Sequence, residues 1–157
     1  MINAEEYFLR IAQTVSEQST CLDKSVGCVI TSADNQIVSC GYNGAPSKVA
    51  DCKTLLKCRK EYDKSCLATH AEINALIKAG ERAKGGKLFV TLEPCFECAK
   101  AIINAGIKEV FYAKKNTKNL VYKMDVRDIL EYVGIRYIYL PLEENNDGNN
   151  IIRNNQR

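Results

Sequence analysis

Apolar residues recur along this chain with two different periods, and the change from one to the other marks out its elements. In residues 4–17 the apolar positions Tyr7, Phe8, Ile11, Ala12 and Val15 fall on one side of a helical wheel. That spacing predicts a first helix lying over one face of a sheet. The runs VGCVIT at 26–31 and QIVSCGY at 36–42 are rich in β-branched residues, and the SADN between them has turn chemistry, so together they predict a hairpin. Cys28 and Cys40 fall inside these strands, where a cysteine packs as a small buried side chain. The hairpin ends in GYNGAP at 41–46, dense in residues that tolerate positive φ or fix a turn. On spacing alone, a plain turn and a functional loop are both open there.

After a charged and irregular stretch at 52–69, the helical period returns. Thr69 and Glu72 read as a capping box opening a helix over 70–79, which Gly80 stops. KLFVTL at 87–92 is apolar without alternation, as a strand buried on both faces must be. Pro94 and Cys95 then open a helix over 95–104 with Ala99, Ile102 and Ile103 on its inner side, closed by Gly106 and followed by a strand at 109–113. A strand, a helix and a strand in that order predict parallel pairing through a right-handed crossover. A polar stretch at 114–121, a helix at 125–133 capped by Asp125 and a last strand at 135–140 repeat the unit.

Composition narrows the class without deciding the chemistry. The 157 residues leave room for one domain with a real core. A content of 46% apolar and 26% charged residues is that of an ordinary globular chain, and a net charge of +3 implies no broad nucleic-acid footprint. The first residues lack a cationic segment followed by an apolar one, and no apolar run reaches membrane length, so the expectation is a cytoplasmic protein with no membrane partner. Eight cysteines are many for this length. In a reducing compartment they bind metal or pack as small apolar groups more readily than they form disulfides. The segment 143–157 is rich in Asn with little to bury, which predicts a polar, disordered tail behind a domain spanning 1–142.

The chemistry concentrates between residues 69 and 105. His70 is the only histidine, Glu72 follows it by two, and Cys95 and Cys98 follow Pro94. One imidazole and two thiolates are three good ligands for zinc, with a fourth position left for a water. Both cysteines belong to the first turn of a helix, where their spacing puts the sulfurs on one face and the dipole favours thiolate. Glu72 sits too far round its own turn from His70 to share its direction, which suits a carboxylate that faces substrate. A structural zinc site would need a fourth protein ligand, and no second histidine exists.

H-x-E followed by P-C-x-x-C is the signature of zinc nucleobase deaminases, whose glutamate moves protons and does not bind the metal. The chain resembles the cytidine deaminase-like superfamily, and within it the deoxycytidylate (dCMP) deaminases. The resemblance runs from about residue 18 to about residue 112, through GYNGAP at 41–46, HAEINAL at 70–76 and PCFECAKAIINAGIKEV at 94–110. It implies a three-layer α/β/α fold on a five-stranded mixed sheet, an antiparallel hairpin followed by three parallel strands. It implies one catalytic zinc on His70, Cys95 and Cys98, with Glu72 taking a proton from the metal-bound water and passing it to the pyrimidine as ammonia leaves. It further implies that Asn43 contacts the sugar, while the Ala71 amide and the Glu93 carbonyl hold the edges of the base.

Other features are read through the same resemblance. Some dCMP deaminases carry a second, structural zinc, and the only full tetrahedral set here is Cys21, Cys52, Cys58 and Cys66; free thiols are the alternative. The family continues GYNGAP with glycines and a His-Cys pair, whereas this chain has Ser47, Lys48, Val49, Ala50, Asp51 and Cys52. Lys114, Lys115, Lys118 and Arg127, near the parallel strand ends, are candidate phosphate contacts that the sequence does not separate. The resemblance implies a homo-oligomer, a hexamer or smaller, and deoxycytidine and thymidine triphosphates (dCTP, dTTP) as candidate effectors. The favoured reaction is dCMP to dUMP and ammonia, supplying the thymidylate precursor. Deamination of dCTP, a free cytidine or deoxycytidine, a riboflavin-pathway pyrimidine or a tRNA adenosine stays open, as does a non-catalytic zinc module that binds nucleotides.

Overall fold

The computed structural model describes residues 1–61, 65–121 and 124–143. Five strands form one mixed sheet, β1 (Gly27–Thr31), β2 (Ile37–Tyr42), β3 (Lys87–Leu92), β4 (Glu109–Lys114) and β5 (Arg136–Tyr139), in the order β2-β1-β3-β4-β5. β1 pairs antiparallel with both β2 and β3, while β3, β4 and β5 run parallel. This is the expected hairpin followed by three parallel strands. The antiparallel join between β1 and β3 puts β1 inside the sheet, next to the central strand β3, and its five residues are all buried.

Strand alternation divides the core in two. Val29, Phe89, Phe111 and Ala113 point to one face, where α1 (Ala4–Ser16) covers them with Phe8, Leu9 and Ala12. Cys28, Ile30, Leu88, Val90, Val110 and Tyr112 point to the other face, under α3 (Ala71–Ala79), α4 (Phe96–Asn104) and α5 (Val126–Tyr132). The result is three layers, as a sheet apolar on both faces requires. Asn3 caps α1 by accepting from the Glu6 amide at 2.8 Å, a contact worth about 1 kcal/mol. Asp125 caps α5 in a full capping box with Asp128. Gly80 ends α3 at φ 55°, a conformation that L side chains rarely adopt.

Three local expectations need correction. Thr69 and Glu72 form no capping box: His70 occupies the cap of α3, no side chain caps that end, and the Thr69 backbone pairs with Gly44. Cys28 is buried, but Cys40 is exposed, because β2 is the outer strand and turns that residue to solvent. The irregular stretch contains a short helix α2 (Cys52–Leu55), capped by Asp51, and a 3-10 turn Arg59–Glu61; the polar stretch after β4 contains another 3-10 turn, Thr117–Val121. Gly41 lies in β2, within the strand expected at 36–42. A Cβ there would lie 2.5 Å from both the Ala71 carbonyl and the Ala75 amide, so its glycine lets α3 settle directly on the sheet. The tail expected at 143–157 lies outside the described residues from 144 onward.

Candidate active site and metal centre

The site forms where β3 runs out at its carboxyl end, the usual place for ligands in open α/β sheets. Glu93 and Pro94 carry the chain from β3 to Cys95, which caps α4 in extended conformation, and Cys98 lies in the first turn of that helix. In the same helix layer as α4, α3 brings His70 at its cap and Glu72 in its first turn. The GYNGAP loop fixes this end of α3: Thr69 N–H donates to the Gly44 carbonyl at 2.7 Å, and Asn74 Nδ2 donates to the Tyr42 carbonyl at 2.8 Å. Two motifs distant in sequence are thereby stitched together.

His70 Nδ1 stands 3.3 Å from Cys98 Sγ and 3.5 Å from Cys95 Sγ, and the three donor atoms lie within 4.8 Å of one another. Zinc–nitrogen and zinc–sulfur bonds of ordinary length, meeting at a tetrahedral angle, put N and S about 3.6 Å apart. The three residues thus fit a tetrahedral zinc. Among the described residues no fourth histidine, cysteine or carboxylate joins the group, so one corner has no protein donor. The three groups are also coupled to one another through their protons. The hydrogen bond from the Cys98 thiol, with help from His70, pulls Cys95 down to about 4. Cys98 is pushed up because it donates to Cys95 and is buried, and the Cys95 contact raises His70.

Glu72 is 4% exposed, and burial lifts its carboxyl to about 7. It sits beside the three donors without joining them. A carboxyl poised near neutrality at the floor of a cavity can both give and take a proton. The cavity has a volume of about 320 Å³ and is also lined by Asn43, Ala71, Glu93 and Lys118.

The other expected residues separate into those the fold brings to the cavity and those it does not. Asn43 reaches the wall, but its side chain is tied to the backbone: Oδ1 accepts from Val26 N–H at 2.9 Å and Nδ2 donates to the Lys24 carbonyl at 2.8 Å. Ala71 is the first residue of α3, where a helix leaves its N–H without an internal acceptor. Of the four cationic candidates only Lys118 lines the cavity. Lys114 lines a different hollow with Arg10 and Gln13, Lys115 lies over the Tyr139 ring, and Arg127 donates to Glu131 at 2.9 Å and to the Tyr137 carbonyl at 3.2 Å.

Cys21, Cys52, Cys58 and Cys66 do not converge on a metal position: no three of them gather as His70, Cys95 and Cys98 do. Cys52 begins α2, whose backbone is pinned by Lys53 N–H donating to the Thr20 carbonyl, while Cys21 and Cys66 face the catalytic cavity.

Residues that the sequence reading passed over complete the walls. Asn116 and Asn119 both reach across to the loop before Cys95, with Asn116 Nδ2 donating to the Glu93 carbonyl at 3.4 Å and Asn119 Nδ2 to the Pro94 carbonyl at 3.0 Å. The Glu93 carboxylate accepts from the Tyr137 hydroxyl at 2.8 Å and from Asn116 N–H at 3.0 Å. Asp23, Lys24 and Lys60 stand at the mouth. The three-residue spacing of the two asparagines was the only available signal, and it lay in a segment read as a polar connection.

A family model for the cytidine and deoxycytidylate deaminase zinc-binding region matches residues 2–114. The chain is 33% identical over 152 residues to a deoxycytidylate deaminase of Schizosaccharomyces pombe, covering 88% of this chain and 45% of that protein. It is 37% identical over 123 residues to the deoxycytidylate deaminase of Mycobacterium phage D29, covering 71% of this chain and 95% of the phage protein. Among solved structures it is similar to a dCMP deaminase of the cyanophage S-TIM5 in complex with dCMP and dUMP, with TM-score 0.72 and 28% identity over 87% of this chain and 96% of that one.

Proposed function

The chain belongs to the cytidine and deoxycytidylate deaminase zinc-binding family, and from that premise we propose that it hydrolyses the amino group of a deoxycytidine nucleotide, converting dCMP to dUMP and ammonia. What carries the reading is one juxtaposition: His70, Cys95 and Cys98 gathered within 4.8 Å, next to a buried carboxyl near neutrality. Relatives named deoxycytidylate deaminase, and a structural neighbour holding dCMP and dUMP, support the choice of substrate.

His70, Cys95 and Cys98 would hold the zinc, which would supply a water acidified toward neutral pH. Glu72 holds a proton at its carboxyl and delivers it to N3 of the pyrimidine, making C4 electrophilic. Left as a carboxylate, it takes a proton from the attacking water and passes it to the departing nitrogen, and it recovers its own proton from the hydroxyl formed at C4. One C–O bond forms at C4, one C–N bond breaks, and ammonia leaves. The Ala71 N–H meets O2 and the Glu93 carbonyl meets the amino group, so the base is oriented by backbone groups at the ends of α3 and β3. Asn43 holds the segment 24–26 against the sugar end, and Lys118 is the phosphate candidate that lines the cavity.

One zinc per chain belongs to this reading, as do a homo-oligomeric assembly and triphosphate effectors. None of the eight cysteines is in a disulfide, which suits a cytoplasmic protein, and among the described residues no helix is long and apolar enough to cross a membrane. The test is ammonia release from dCMP by the zinc-loaded protein, read beside dCTP, deoxycytidine and a tRNA anticodon stem. Turnover of dCMP above the others is expected; turnover of the tRNA stem alone would overturn the reading.

A further inference from the structure

We infer that Asp23 sets the charge of the nucleotide this site accepts, by holding a cluster of three lysines to the net charge of a single phosphate group. The inference rests on the nucleotide reading above. Asp23, Lys24, Lys60 and Lys118 line the cavity that contains His70, Glu72 and Cys95. They come from three separate stretches: the segment before β1, the turn Arg59–Glu61 and the turn Thr117–Val121. Lys60 Nζ donates to Asp23 Oδ2 at 3.1 Å, and the two side chains are 41% and 44% exposed. The pair therefore stands at the mouth, whereas Glu72 lies at the floor. A nucleotide whose base reaches Glu72 extends its phosphate toward the lysines.

Lys60 bonds the Asp23 carboxylate directly while Lys118 and Lys24 line the same cavity, and the three, Lys60 foremost, hold the carboxyl below the usual carboxylate range. Three positive charges and one negative leave a cluster of +2. A phosphate monoester carries about −1.5 to −2 at pH 7, which that cluster matches. A triphosphate brings further negative charge to a cavity whose described lining offers no fourth Lys or Arg and, besides Asp23, presents the exposed Glu97 carboxylate. Asp23 also competes with the phosphate for Lys60, so binding exchanges one anionic partner for another. The site is in this way tuned against both extremes, since a nucleoside has no anion to offer the lysines.

The experiment compares kcat/KM for dCMP and for dCTP in wild type, Asp23→Asn and Asp23→Glu, at low salt and at about 0.5 M salt. Ammonia release from dCMP by the wild type comes first; its absence overturns the substrate reading itself. Asp23→Asn should raise the dCTP:dCMP ratio about fivefold at low salt, and the rise should shrink at high salt because the mouth is solvent-exposed. Asp23→Glu, which keeps the charge, should hold the wild-type ratio. Turnover of dCMP with a ratio that Asp23→Asn leaves unmoved, or that rises equally in Asp23→Glu or regardless of salt, overturns the role of Asp23 while leaving the deaminase reading in place.

Discussion

The Tyr137 hydroxyl donates to Glu93 Oε1 at 2.8 Å, joining residues 44 positions apart through the parallel pairing of β4 with β5. Glu93 precedes Pro94 and the candidate ligand Cys95, so a side chain on the last strand steadies the loop that leads into the proposed metal centre. Tyr137→Phe removes this bond and leaves the carboxylate with the Asn116 amide. A loss of about 2 kcal/mol in unfolding free energy is expected by denaturant titration. kcat should fall while bound zinc, measured in the same preparation, stays constant.

Metal analysis of purified protein should find about one zinc per chain. Cys95→Ser or Cys98→Ser should abolish it, whereas Cys21→Ser, Cys52→Ser, Cys58→Ser and Cys66→Ser should each leave it in place. A second equivalent lost on changing any of these four would restore the all-cysteine site. Chelation should lower the melting temperature and end ammonia release together, because the ligands repel one another or share protons once the cation is gone.

Glu72→Gln should keep zinc and dCMP binding while turnover drops by roughly 10² to 10⁴, the usual span for a lost proton shuttle. Retained turnover would remove Glu72 from the reaction.

The same substitution reads out the burial of Glu72 through pH. In the folded, metal-free protein the carboxyl titrates near 7, above its ordinary 4.5, so between those values the folded state holds a proton that the unfolded state has lost. Stability must therefore fall as pH rises from about 4.5 to about 7. Relative to Glu72→Gln, which cannot ionise, metal-free wild type should lose about 3 kcal/mol over that window, followed by chemical unfolding at each pH.

Gly41→Ala places a methyl 2.5 Å from two backbone atoms of α3. The helix has to lift from the sheet, at a cost of about 1–3 kcal/mol, and it carries Ala71 and Glu72 with it. Reduced kcat/KM alongside reduced stability is expected.

Asn43→Ala should cost about 2–4 kcal/mol, since it strands the Val26 amide and the Lys24 carbonyl. Asn43→Asp keeps the acceptor and loses the donor, so it should fall between the two in stability. If Asn43 acted only on the ligand, both variants would melt with wild type.

Much of the fold was legible because its signals are local. The helical stripe from Tyr7 to Val15, the turn before Ile37 and the unbroken apolar run of β3 depend on near neighbours, and Lys87–Leu92 emerged with the predicted bounds. The ligand set was legible for a different reason: His70, Cys95 and Cys98 are the residue types zinc selects, spaced as two helix starts deliver them. The misplaced features share one cause. Cys40 looked buried because its strand pattern does not say which strand lies outermost, and Thr69 looked like a cap because its pairing with Gly44 arises 25 residues away.

Sequence alone determined the chemistry on offer, a zinc triad with a free carboxylate, and the order of strands and helices that would carry it. Only the tertiary structure decided that Glu72 is buried and lifted toward neutrality, that Tyr137, Asn116 and Asn119 hold the loop before Cys95, and that Lys24, Lys60 and Lys118 line one cavity with Asp23 while Lys114, Lys115 and Arg127 lie elsewhere. Burial and charge proximity are sums over groups from many segments. No local pattern encodes them until the chain is closed on itself.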